Sequence, residues 1–290
     1  MAGRFILSLD CEGKWGVADH LTPEHHRDLN ERSLVQAYRA IMDILDRHDI
    51  KATFAVVGCF GLDKKSLLAL PYDEITVRLP YTKTAFEDAA SGGEGWSGSW
   101  IYDMIDDRHE IGLHGVTHTP FNQMNESDAR FEFSLLPIKT GQTFIYPRNK
   151  VAHVSVLEEF GIAGYRLAKP GGAIKRFADE FNLSARSETH PPAEKPQPIP
   201  AGHFVNWLSG VRKMVPLEVT RQRCRNMLND AVRNDGIVHF WTHPENMATA
   251  PGTLKVFDII CTEVAKMQER GELTVVTQKE YCKTTPLKIM

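Results

Sequence analysis

A chain of 290 residues with 42 % hydrophobic composition can bury a substantial core, in one large domain or two smaller ones. Its formal net charge of −3 supplies no overall basic surface, which argues against nucleic acid as a partner. The 5 cysteines are odd in number and lack CxxC spacing, against a disulfide framework or a cysteine zinc site.

In chain order, FILSLD predicts a strand ending near two carboxylates. Asp10 and Glu12 share a face if the strand persists that far, while Leu9 and Cys11 point the other way, Cys11 as a small packing residue. SLVQAYRAIMDILDRH, apolar at helical spacing, predicts a helix with Ser33 as N-cap. KATFAVVG follows as a β-rich run stopped by glycine, then ASGGEGWSGSW (residues 90–100) as a glycine-rich loop. HEIGLHG, TFIYPRN, AGYRLA, GIVHFWTH and LTVVT repeat the strand signal, with VSVLEEFG, LEVTRQRCRNMLNDAVRN and GTLKVFDIICTEVAKMQERG as helices among them. HPPAEKPQPIPAG (residues 190–202), dense in proline, is expected to be a long surface loop. The βα alternation predicts a parallel sheet, open or closed, in a single domain over residues 1–290. The initial apolar run is too short for a signal-peptide core and no segment approaches the roughly 20 apolar residues of a membrane span, so a cytoplasmic protein is expected.

Four segments carry candidate chemistry. His114 and His118 lie four apart, and on a helical turn both rings would reach one ion; each alone reads more simply as a structural histidine. In GIVHFWTHPEN, His239, Trp241 and His243 share one strand face. His243 stands at the C-terminal end, where parallel α/β folds gather ligand-binding groups, and His239 reads as a hydrogen-bonded core residue. Arg148, after TFIYP, is placed to bring a permanent cation near the carboxylates of the first strand, Asp10 and Glu12. Trp15, Trp96, Trp100 and Trp207 fall in or near loops where a ring face could meet a sugar, and Lys14, Lys150 and Lys169 could meet a phosphate. Packing and solvation are the plainer readings of these.

Taken together, SLDCEG, KATFAVVG, RHEIGLHGVTH, IYPRNK and GIVHFWTHPEN resemble, in order, the motifs of the polysaccharide deacetylase family, the NodB-like carbohydrate esterases. The resemblance spans roughly residues 5–280. It implies an α/β fold, a distorted (β/α)7 barrel resembling a TIM barrel. It implies Asp10 as catalytic base, Glu12, His114 and His118 as ligands of a divalent metal, zinc before other ions, Arg148 as the arginine that orients the base, and His243 as general acid. Trp15, Tyr146 and Asn149 are the expected substrate-binding residues, with an amide after Tyr146 as oxyanion donor. Three departures stand out: the carboxylates are spaced as Asp10-x-Glu12, Gly115 replaces the Ser or Thr that follows the first histidine, and Arg148 follows its proline. The Asp-x-Asp-Trp element that orients the late histidine is not found.

The expected activity is hydrolysis of an acetyl or formyl group from an amino sugar on a nucleotide- or lipid-linked precursor of a bacterial surface glycan. Two other classes compete: a non-haem iron oxygenase, which uses a similar set of two histidines and a carboxylate, and a non-catalytic carbohydrate-binding protein of the same fold.

Overall fold

In the computed structural model, which describes residues 2–169 and 171–284, the first apolar run becomes strand β1 (Gly3–Cys11). Almost every residue of β1 is buried, as a strand in the middle of a parallel sheet must be. The others are β2 (Thr53–Val56), β3 (Glu110–Leu113), β4 (Thr143–Phe144), β5 (Gly164–Arg166), β6 (Gln197–Ile199), β7 (His203–Phe204), β8 (Ile237–Thr242) and β9 (Leu273–Val275). They hydrogen-bond in the order β6-β5-β4-β3-β2-β1-β8-β7, with β9 beside the start of β1, and the pairings are parallel.

The two ends of that order are neighbours in sequence. β6 pairs with β5 and β7 pairs with β8, with only residues 200–202 between them, so one interrupted run closes the sheet into a ring. The strands on this path thus take seven places in a distorted (β/α)7 barrel, closed covalently where hydrogen bonding stops. This corrects the reading of residues 190–202 as surface loop. β6 is buried despite its proline, because it pairs with only one neighbour and tolerates a missing N–H on the other side.

The alternation of β1 divides the interior in two. Phe5, Leu7, Leu9 and Cys11 enter the main apolar core beneath the helices, among them Glu31–Arg47, Leu217–Asn234 and Thr253–Glu269. Ile6, Ser8 and Asp10 run up the barrel interior: Ile6 joins Ile199, Ile237, Val276 and Tyr281 in an apolar floor, and the polar residues stand above it. The helix Glu31–Arg47 starts two residues before the expected cap. Asn30 is its N-cap, accepting the Ser33 amide at 2.9 Å, and Ser33 lies inside the first turn. The cysteines are all free.

Candidate active site

Strand register sets the site. Leu9 pairs with Thr242, Cys11 with Val56, Val56 with Leu113, Leu113 with Phe144, and Phe144 with Tyr165. The residues one step beyond these pairs therefore leave the sheet at nearly one level, and they include Asp10, Glu12, His114, Arg166 and His243. They form the C-terminal rim of the barrel, where βα loops concentrate functional groups. A cavity of about 710 Å³ opens there, lined by Asp10, Glu12, His114, His118 and His243.

Asp10 is buried and gripped by Arg166 in a two-point ion pair, Nη1 to Oδ1 at 2.8 Å and Nη2 to Oδ2 at 2.6 Å. Burial alone would raise the Asp10 pKa, but the Arg166 guanidinium paired with it more than offsets this and holds the carboxylate below its ordinary range. Arg166 is itself packed over the Trp241 ring at 4.4 Å and donates to Asn149 Oδ1 at 2.9 Å.

Arg148, expected in that role, does not make the contact. The turn after Tyr146 places Arg148 and Asn149 at φ 57° and 53°, and the Arg148 guanidinium goes to Asp19 at 2.6 Å and the Tyr81 hydroxyl at 2.8 Å. It pins the loop after Glu12 from a half-exposed position. Arg166 escaped the sequence reading because AGYRLA reads as a short strand. Its signal was a lone charge two residues from Gly164, on the alternate face that turns inward.

Glu12, His114 and His118 converge. The Nε2 atoms of His114 and His118 lie 2.9 and 3.0 Å from Glu12 Oε1, and the donor atoms are within 4.8 Å of one another. His114 Nδ1 is assigned as donor to the Ile145 carbonyl at 2.9 Å, which turns the Nε2 lone pair toward the carboxylate. Burial draws His118 toward neutrality, and its Nδ1 is buried without a hydrogen-bond partner. The His114 lone pair aimed at a carboxylate oxygen repels it unless a cation lies between them. The donor set, two imidazoles and a carboxylate, therefore fits a divalent metal. Burial raises the Glu12 pKa, but His243 facing it outweighs this and keeps the group ionised well below its ordinary value.

The four-residue spacing does not lie on a helical turn. Residues 114–118 form a loop with Gly115 at φ 71° and His118 at φ 60°, held by the buried Glu132 carboxylate, which accepts from the Val116 and Thr117 amides and the Thr117 hydroxyl at 2.7–2.8 Å. Glycine is required at 115: a Cβ there would lie 2.8 Å from Pro147 Cγ, which accounts for the missing Ser or Thr. Gly16 is equally constrained, since a Cβ would collide with the Glu12 carboxylate. Nothing in the sequence pointed to Glu132, one of three acids in the helix Glu126–Ser134.

His243 faces the carboxylates from β8, its Nε2 3.4 Å from Glu12 Oε1 and 3.9 Å from Asp10 Oδ2. Burial pulls its pKa down, yet Glu12, Asp10 and Glu245 push it up to about 9. Glu245, two residues on, is buried and accepts the Glu12 and Gly13 amides at 3.1 and 2.6 Å and the Tyr38 hydroxyl at 3.2 Å, tying the end of β1 to the end of β8. Burial and the Glu12 charge raise its pKa to about 7.

The expected substrate contacts sort differently. Trp15 is fully buried: its indole N–H donates to the Trp96 carbonyl at 2.9 Å and its ring meets Phe86 and Trp96 edge-on. Tyr146 is buried among Phe121, Phe144 and Tyr165. Neither side chain is available to a ligand, because each completes an aromatic core cluster. Of the amides after Tyr146, those of Asn149 and Lys150 are used in turn bonds to Tyr146 and Pro147. Asn149 does line the cavity, where it supports Arg166.

A family model for polysaccharide deacetylase matches residues 30–135. The matching family is polysaccharide deacetylase. The matched segment holds His114 and His118, while Asp10, Glu12, Arg166 and His243 lie outside it and are joined to it by the barrel. A Mycobacterium smegmatis protein assigned to the polysaccharide deacetylases superimposes with a TM-score of 0.57 at 14 % identity, over 99 % of this chain and 93 % of that one, and shows the same fold. A family 4 carbohydrate esterase pseudoenzyme from Bacillus anthracis (TM-score 0.45, 15 % identity, 97 % and 66 % covered) is more distant. So is a family 4 acetyl xylan esterase from Clostridium thermocellum with cobalt (0.42, 15 %, 99 % and 93 %), and neither adds to the fold assignment. No curated protein sequence matches the chain. Among the described residues no helix is long and apolar enough to cross a membrane.

Proposed function

We propose that this protein is a divalent-metal hydrolase that removes an acetyl or formyl group from an amino sugar, yielding a carboxylic acid and a free amine. The observation that supports it most is the pairing of an Arg166-clamped Asp10 with the convergent Glu12, His114 and His118 and the facing His243, in one cavity.

Glu12, His114 and His118 would hold the ion, zinc foremost, which would supply the Lewis acidity to polarise an acyl carbonyl and acidify water. Asp10 takes the proton of the attacking water, and Arg166 keeps its carboxylate ionised and aimed. His243, protonated between two carboxylates, gives a proton to the leaving nitrogen as the C–N bond breaks. Glu245 holds the backbone of Glu12 and Gly13 in place. Phe204 and Trp207, partly exposed in the cavity wall, offer apolar faces to a sugar ring. An iron oxygenase has no use for a second, desolvated carboxylate locked to arginine, nor does a binding protein.

The test is release of acetate or formate, followed by mass spectrometry, from zinc-loaded protein and a panel of N-acetyl, N-formyl and O-acetyl amino sugars. Acid release by the wild type and its loss in Asp10→Asn is expected. Turnover that requires iron and oxygen, or no acid from any substrate, overturns the reading.

A further inference from the structure

The cavity extends past the metal-binding residues to a second polar cluster that the reaction does not use. Phe204 touches both: its ring lies 5.8 Å from His243, and the Arg212 guanidinium sits 5.0 Å over it. Beyond it, Arg223 is 4 % exposed and sends Nη1 to Glu180 at 3.0 Å and Nη2 to His203 Nδ1 at 3.0 Å. Lys169 Nζ lies 3.1 Å from that same nitrogen. Lys169, Arg212, Arg223 and His203 all line the cavity.

This cluster is incompletely satisfied. One imidazole nitrogen has a single lone pair, yet two cations are directed at it. Burial, together with Lys169 and Arg223, holds the His203 pKa well below its ordinary value, so the ring brings no charge of its own. Arg223 Nε is buried with no hydrogen-bond partner. The acids nearby balance part of this charge without pairing Lys169: Glu180 is shared between Arg223 and Arg212, the latter at 4.0 Å, and Glu188 accepts the Gly202 amide and lies 4.0 Å from His203 Nε2, near enough, like Asp179, to act on Lys169 through its charge. Asp179 lines the same wall, but among the described residues no carboxylate forms an ion pair with Lys169.

We infer that Lys169, Arg212, Arg223 and His203 form an anion subsite that holds a phosphate or diphosphate group of the substrate, with the sugar lying across Phe204 toward the metal-binding residues. A phosphate oxygen accepts from Lys169 and the Nη2 of Arg223 together, which one imidazole nitrogen cannot do. The substrate is then an acylated amino sugar bearing a phosphate ester at the end remote from the acyl group. For the identity of that sugar the inference rests on the hydrolase reading.

The experiment is calorimetric titration with inorganic pyrophosphate of the zinc-loaded wild type and Lys169→Ala, alongside His118→Ala, which lacks a metal ligand. Lys169 is partly exposed, so its substitution is compatible with folding; Arg223→Met, checked by circular dichroism, is the second variant. Saturable binding weakened about tenfold or more by Lys169→Ala, and kept in His118→Ala, is expected from loss of one charged hydrogen bond. Binding indifferent to Lys169, or abolished by His118→Ala, overturns the subsite. Uridine diphosphate and farnesyl phosphate, titrated in parallel, separate a nucleotide from a lipid carrier. In turnover, Lys169→Ala should lower the preference for a phosphorylated over an unphosphorylated sugar about tenfold. Lys169-dependent pyrophosphate binding without acid release from any sugar would sink the hydrolase reading and leave the subsite standing. Acid release with no change in that preference would do the reverse.

Discussion

His239 and His243 stand four residues apart on one face of β8 and its extension, and their surroundings make them opposites. His239 is fully buried, with Nε2 2.9 Å from the Ser8 hydroxyl and Nδ1 2.7 Å from the Pro200 carbonyl. Burial and the Arg166 charge draw its pKa from 6.5 to about 3. His243, with its side chain 27 % exposed at the rim, faces two carboxylates and is pushed up to about 9. Depth along a single barrel face thus divides a structural imidazole from one suited to proton transfer. The same contrast holds for Arg166, whose side chain is 0 % exposed and closed on Asp10, and Arg148, 35 % exposed and closed on Asp19.

The largest effect that would test this division is loss of a ligand. His114→Ala should strip the metal, seen by elemental mass spectrometry, and reduce acid release to background, beyond the roughly 10–100-fold cost of losing an outer partner. His239→Gln should keep the ion; if it too loses metal, interior and rim are not separable. Asp10→Asn should retain metal and lower kcat by about 10²–10⁴-fold, and near wild-type turnover would remove Asp10 as base.

Smaller effects separate the arginines. Arg166→Met leaves the Asp10 charge buried and unpaired and should cost about 3–5 kcal/mol in urea unfolding. Arg148→Met removes a half-exposed pair worth at most ~1 kcal/mol. Equal losses would erase the contrast.

For His239 the sign of the pH effect follows from its depressed pKa. Below pH 6.5 the unfolded chain binds a proton that the folded chain refuses until about pH 3, so this contribution to stability is complete above 6.5 and is lost as pH falls toward 3. Unfolding measured between pH 6.5 and 4 should slope less steeply in His239→Gln. Identical slopes would mean that the folded ring is already protonated. The smallest change is expected from Tyr146→Phe. Its hydroxyl is buried with no hydrogen-bond partner, so stability should stay level or rise by up to about 1 kcal/mol, with KM unaltered. A raised KM would return Tyr146 to the substrate site.

Local pattern was enough for the strands and long helices, because period-2 and period-3.6 burial write themselves into apolar spacing. It failed at residues 197–199, where proline masked a barrel strand, and at residues 114–118, where two histidines at helical spacing sit instead on a loop braced by Glu132. It also failed at Trp15 and Tyr146, since an aromatic residue beside a motif has the same letters whether it faces a cavity or a core.

The amino-acid sequence by itself determined the βα alternation, the same-face placement of Asp10 and Glu12, the histidine pair, and the position of His243 at a strand end. Each depends only on neighbours along the chain. Which arginine meets Asp10, what holds the His114 loop, and that Lys169 and Arg223 turn toward one imidazole were decided by barrel closure. Those contacts join residues 15 to 156 positions apart, and only the register of parallel strands brings them to one level.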